Sequence, residues 1–238
     1  MSVTAFSITY GSHELTFTVE VRPRRTLSIS VHPDQRVHIL SPPDVPLAQI
    51  QARVTRRAAW ILRQQAYFQQ FRPATPARRY VSGETHLYLG RQYRLRLEEA
   101  PKSQVKLIRG RLVVHTPRPA DADHTAQLLR QWYQQRAAEQ FQAVLQQCLP
   151  LLSEYQLPIL PTLHHRYYQK RWGSCSPTGR ITLNTDLIRA DKSSIAYVIL
   201  HELCHLIEPN HSRRFYRLLT QILPDWERRK AKLEKALV

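Results

Sequence analysis

The residues best placed to do chemistry together are His201, Glu202 and His205, which read H-E-x-x-H within YVILHELCHLIEPNHSRRFY, with a further histidine at position 211. Residues four apart in a helix lie on one face, a turn above one another. His201 and His205 therefore aim two imidazoles at a common point. Neutral imidazole nitrogens hold zinc at roughly 2.0–2.1 Å, and a catalytic zinc keeps three protein ligands and an open position for water. Glu202 falls beside such an ion rather than on it, where its carboxylate can take a proton from the water as general base. The surrounding Ile195, Val198, Ile199, Leu203, Leu206 and Ile207 make a largely apolar helix. Two histidines and a glutamate are expensive to bury there without a partner, and a metal supplies one. The competing reading, histidines satisfied as ordinary core or surface groups, fits that apolar setting less well.

A third ligand requires the chain to turn, because one continuous helix cannot return position 211 to the ion. Pro209 disfavours helical geometry at Glu208 and removes an N–H, so the helix is expected to end there. His211 can then swing back, with Ser212 capping the next helix. The spacing of the three histidines equals that of the metzincins, which carry glycine where this chain has Glu208. Glu208 is the competing ligand, since seven residues after His201 it shares the histidine face of an unbroken helix.

A second group of candidates lines up around RWGSC. Gly173 permits close backbone approach, and a strand edge there could pair with an extended peptide. Arg171, Trp172, Gly173, Ser174, Cys175, Asn184 and Tyr216 are the candidate substrate-cleft residues. Trp172 reads as a packing anchor. Cys175 reads as packing, with zinc ligation as the alternative. Asn184 is expected to hydrogen-bond backbone rather than do chemistry. Arg171, Tyr197 and Tyr216 are unranked candidates for stabilising an oxyanion. His164 and His165 point to opposite faces of an expected strand and are read as structural. Cys204 points away from the histidines by helical phase and is read as a small core residue.

The stretches YYQKRWGSCSPTGRITLNTDLI, YVILHELCHLIEPNHSRRFY and LPDW resemble the YgjP-like metallopeptidases, which are related to the SprT-like and Wss-type proteases that digest proteins crosslinked to DNA. The segments RPRRTLSISVHPDQRVHILSP, AAWILRQQ and YVSGETHLYLGRQYRL resemble the same family's amino-terminal half, so nearly the whole chain is covered. The resemblance implies zinc at His201, His205 and His211 and catalysis by Glu202. Some YgjP-like proteins are described as nucleotide (UTP) pyrophosphatases, so the family resemblance leaves the substrate open.

The elements that must position these residues follow from periodicity. Leu15, Phe17, Val19 and Val21 alternate, as do Leu27, Ile29 and Val31, then Val37 and Ile39, as half-buried antiparallel strands with short turns such as Pro33-Asp34. A helical pattern runs from Leu47 to about Phe71. Strands are expected at 80–81, 87–89, 93–97, 105–108 and 112–115. Thr116-Pro117-Arg118-Pro119 reads as a linker or domain edge. A long helix is expected from near Asp121 to Leu149. Strands at 162–170 and 180–183 flank RWGSC, and three helices end the chain. The expected fold is α+β: residues 1–118 as an amino-terminal antiparallel β-rich domain with one long helix, and residues 119–238 as a zincin-like, largely helical metallopeptidase domain with a small β-sheet.

Composition sets outer limits. A chain of 238 residues with 42% hydrophobic content can bury a proper core. Cys148, Cys175 and Cys204 are dispersed, with no C-x-x-C pair, so neither a disulfide framework nor a zinc ribbon is indicated. With no signal-like segment and no apolar run of about 18 residues, no membrane association and a cytoplasmic location are expected. Lys and Arg number 35 against 18 acids, for a net +17. That excess favours non-specific contact with nucleic acid or nucleotides, or serves as a soluble surface. It matches no sequence-reading motif. Together these readings favour a zinc-dependent metallopeptidase acting on a protein or peptide substrate. The alternatives are a divalent-metal nucleotide pyrophosphatase and a non-enzymatic nucleic-acid-binding module with structural zinc. No glycine-rich phosphate loop or carboxylate cluster supports the former, and a metal site with an open position disfavours the latter.

Overall fold

A computed structural model describes residues 3–32, 34–69, 78–155, 157–169 and 171–237. The chain divides into two compact units, Met1–Pro76 and Ala77–Leu237. The expected α+β architecture is present: a β-rich amino-terminal region with a long helix, and a carboxy-terminal helical half with a small sheet.

The first unit is a four-stranded sheet covered by one helix. Its strands are β1 (Val3–Tyr10), β2 (His13–Val21), β3 (Ser28–Val31) and β4 (Val37–Ser41), in the order β1-β2-β4-β3. Alternation turns Leu15, Phe17, Val19, Val37 and Ile39 inward. Helix α1 (Leu47–Gln69) lays Ile50, Val54, Ala58 and Ile61 against them. Each fully buried aliphatic side chain of this kind contributes about 1.5–3 kcal/mol. β3 and β4 pair antiparallel as expected, but β2 and β4 pair parallel. The final residues of the expected helix, up to Phe71, and the Pro33 turn position lie outside the described residues.

The second unit is built around helix α2 (Ala122–Cys148). On one side lies a sheet of β5 (Thr85–Tyr88), β6 (Arg91–Glu99), β7 (Gln104–Ile108) and β8 (Arg111–Thr116), ordered β5-β6-β8-β7. A second sheet of β9 (Thr162–Arg166), β10 (Gly173–Cys175) and β11 (Arg180–Asn184) is ordered β10-β11-β9. Helices α3 (Lys192–Cys204), α4 (Arg213–Ile222) and α5 (Trp226–Leu237) complete it. One hydrophobic cluster joins Leu95, Leu112 and Val114 of the first sheet to Leu129 and Phe141 of α2 and Ile199 of α3.

Thr116–Pro119, expected to be a domain edge, is not where the compact units part. Thr116 is fully buried at the end of β8, and Asp121 caps α2 immediately afterwards. The β5–β6 turn is also tied to the segment before α3: Leu89 and Gly90 donate their N–H groups to the carbonyls of Ile188 and Arg189, each at 3.0 Å. Gly90 has a φ of +76°, and a Cβ there would lie 2.7 Å from Asp191 Cβ, so only glycine fits. The sheet that the sequence assigned to the amino-terminal domain therefore shares the core of the helical half. Among the described residues, no helix is long and apolar enough to cross a membrane.

Candidate metal centre

Helix α3 starts at a strong cap. Asp191 Oδ1 accepts the N–H groups of Ser193 (2.9 Å) and Ser194 (3.1 Å), satisfying donors that the first turn leaves orphaned. At the other end His205 is the C-cap, and the chain tightens through Leu206 and Ile207 before Glu208 donates to the Cys204 carbonyl. This late turn keeps His201 and His205 on one side while ending the helix ahead of Pro209. Ser212 then caps α4, accepting from the N–H groups of Arg214 and Phe215.

The reversal brings His211 back over the helix. Nε2 of His211 lies 2.9 Å from Nε2 of His201, and one ligand nitrogen from each of His201, His205 and His211 lies within 4.8 Å of the other two. Nitrogens bound to one ion at about 2.0–2.1 Å in tetrahedral array stand about 3.4 Å apart, so this spacing suits a shared cation. His205 Nδ1 sits 3.2 Å from the Glu208 carbonyl, which orients the ring and leaves Nε2 to face the others. His201 Nδ1 is buried without a hydrogen-bond partner among the described residues, so Nε2 is the atom it offers. Burial, and then the neighbouring His205 and His211, push His201 down to about 3. Burial, followed by His205, also lowers His211. His201 is thus neutral at pH 7, the form a metal requires, and His211 is shifted in the same direction. Glu208, the competing ligand, takes no part with its carboxylate; its backbone carbonyl does the orienting.

The sequence pattern of the family described as YgjP-like, metallopeptidase domain, matches residues 25–236. The chain belongs to the YgjP-like family. Membership makes it a metallopeptidase at family level, with a metal and with peptide or protein substrates. Two solved structures are also similar, each over 41% of this chain. The metallopeptidase zymogen of Pyrococcus abyssi abylysin is 24% identical over 99% of its own length, with a TM-score of 0.34. That of Methanocaldococcus jannaschii jannalysin is 19% identical over 97% of its length, with a TM-score of 0.35. No curated protein matches.

In this YgjP-like chain the three imidazoles open onto a cleft of about 610 Å3. Glu202 is 6% exposed at its wall, and burial pushes its carboxyl up to about 7 against the opposing charge of Arg171. Gly173 of β10 is what makes room for it, since a Cβ there would lie 2.6 Å from Glu202 Oε1. Gly173, Ser174 and Cys175 line the cleft; β10 is the outer strand of its sheet.

The other cleft candidates do not line it. Asn184 is buried and works on backbone: its Nδ2 donates to the carbonyls of Tyr168 (3.0 Å) and Arg171 (3.1 Å), and its Oδ1 accepts from Asp186 N–H (3.1 Å). It thereby holds the loop that delivers Gly173. Trp172 is half-buried against the core, and its carbonyl accepts the Asn184 N–H at 2.7 Å. Arg171 is exposed and acts on Glu202 by charge alone. Tyr216 is 41% exposed, with its ring 6.1 Å from that of His211, but it lines a neighbouring hollow beside Trp226. Tyr197 is buried behind His201. Cys175 and Cys204 stay outside the ligand group, and burial raises both thiols, to about 11 and about 12. His164 is exposed, whereas His165 meets Thr185 and the Phe141 ring.

Phe215 had no role assigned from sequence. Fully buried, it stacks on His205 at 4.6 Å and meets His201 and His211 at 5.0 and 4.7 Å, walling in all three rings. Its signal was the His-Ser-x-x-Phe spacing, which puts the ring on α4 just after the returning histidine.

Proposed function

We propose that the chain is a zinc-dependent peptidase in which His201, His205 and His211 hold the ion and Glu202 is the general base. The observation that carries this is the convergence of three imidazole nitrogens within 4.8 Å at the mouth of the cleft that Glu202 walls. Bound there, zinc would supply a Lewis acid that polarises the scissile carbonyl and activates a water. Glu202 would take that water's proton and pass it to the leaving amine. Its burial favours the task, because desolvation makes a carboxylate a stronger base. Phe215 and the Glu208 carbonyl would hold the imidazoles in place. An extended substrate would lie beside β10, where Gly173–Cys175 form a strand edge.

The cleft offers little to a nucleotide. Among the described residues its lining carries no charged side chain apart from the histidines and Glu202, so beyond a bound metal it offers no side-chain cation to a triphosphate. Metal analysis of alanine variants tests the ligand set. His201→Ala and His205→Ala should each abolish binding of about one zinc per chain, and His211→Ala should weaken it strongly. Full zinc in His211→Ala with loss in Glu208→Ala would refute it.

A further inference from the structure

The first unit carries a groove of about 620 Å3 that plays no part in the metal centre, lined by Leu27, Ile29, Arg53, Arg56, Arg57 and Trp60. The four α1 residues are spaced i, i+3, i+4 and i+7, so they form one face. It is a different face from the one that Ile50, Val54, Ala58 and Ile61 bury. Helix α1 contains no aspartate or glutamate along its 23 residues. Among the described residues none of the three arginines has a carboxylate partner, and all three are exposed. Like charges on one helix face repel each other, so a face of this kind is more stable with an anion on it. The other wall comes from Leu27 and from Ile29 of β3, the outermost strand of its sheet among the described residues.

We infer that this groove docks an extended acidic segment of a protein. Each part of it answers to one part of such a segment. Among the described residues no strand pairs with the outer side of β3, which leaves backbone donors and acceptors for a strand to pair with. Leu27, Ile29 and the half-buried Trp60 take apolar side chains from alternate positions. Arg53, Arg56 and Arg57 take carboxylates, for which the planar guanidinium offers paired donors. A polynucleotide could use the arginines and the tryptophan, but it has no use for a strand edge beside an aliphatic wall. Docking is a property of the groove itself; that the docked protein is a substrate rests on the peptidase reading above.

The test uses the full chain carrying Glu202→Gln, so that binding is read without cleavage. Three labelled probes are compared by fluorescence anisotropy at low and physiological salt: a peptide alternating Glu with Val, one alternating Lys with Val, and single-stranded oligothymidylate. The acidic peptide should bind at least about tenfold more tightly than the basic one, and Arg53→Gln/Arg56→Gln/Arg57→Gln should remove most of that difference. Trp60→Ala should weaken binding even at physiological salt, where the charge contribution is screened. Because the arginines are exposed, an unchanged melting temperature in the triple variant checks that it has folded. Equal affinity for the two peptides would overturn the inference. So would an unchanged acidic-peptide affinity in the folded triple variant. Oligothymidylate binding that depends on the arginines, without acidic-peptide binding, would make the groove a polynucleotide surface instead. Acidic-peptide binding, with no cleavage of peptide or unfolded protein by the zinc-loaded chain that keeps Glu202, would leave the docking site standing and remove the peptidase reading.

Discussion

At the smallest scale the proposed chemistry rests on Glu202 and Gly173, because the carboxylate occupies the space a side chain at 173 would need. Gly173→Ala must displace Glu202, Gly173 or both. A displacement near 1 Å costs roughly 10²-fold in rate, so kcat/KM should fall by about that factor while zinc content is kept. Steady-state kinetics alongside metal analysis checks this, and loss of zinc would show that the glycine serves the ligands instead. The H-E-x-x-H arrangement was legible in the sequence because helix geometry alone puts residues four apart on one face. Pro209 favoured His211 over Glu208 in the sequence, but the path by which the chain turns back after Cys204 was not legible. Phe215 was visible only as a spacing after His211; that its ring packs on all three imidazoles was not, because ring packing between two helices leaves no periodic trace.

At the scale of elements, α3 is held by its cap and by the loop that Asn184 fixes. Burial alone would raise the Asp191 pKa, but hydrogen bonds from Ser193 and Ser194 and the nearby Lys232 ammonium outweigh it and hold the carboxyl at about 2. Asp191→Ala should therefore cost about 0.5–2 kcal/mol of stability at neutral pH. The folded value lies below the ordinary 3.8, so the charged cap contributes fully above about pH 4 and is lost as pH falls toward 2. Denaturant melts of both proteins across that range should converge at the acid end. Asn184→Ala removes its hydrogen bonds to the carbonyls of Tyr168 and Arg171, at about 0.5–1.5 kcal/mol each. Lower stability and lower activity together, measured by denaturant melts and peptide cleavage, are the expected outcome. Most strands and the five α-helices among the described residues were legible from alternation and helical periodicity. β1 was not read, because most of its described residues are exposed and bury little on either face, although Phe6, Ile8 and Tyr10 alternate with Ser7 and Thr9. The parallel pairings of β2 with β4 and β6 with β8 were also hidden, since register depends on crossovers rather than local pattern.

For the whole molecule, two hydrophobic clusters lie in two compact units, and the metal centre belongs to the second. Calorimetry should resolve two transitions, with zinc raising only one. At about 100 times its dissociation constant, zinc adds about 2.7 kcal/mol to the unit that binds it. The Thr116–Pro119 prolines suggested a boundary because they interrupt periodicity, but the burial that joins β8 to α2 is long-range and leaves no local mark. The measurement that bears most directly on the proposed chemistry is hydrolysis of an unfolded protein by zinc-loaded Glu202→Gln. The amide keeps the shape of the side chain but cannot act as a base at neutral pH. Zinc should stay at about one per chain, while cleavage should fall by the roughly 10²–10⁴-fold expected from losing a general base. Undiminished cleavage by a folded, zinc-loaded Glu202→Gln chain would contradict the mechanism.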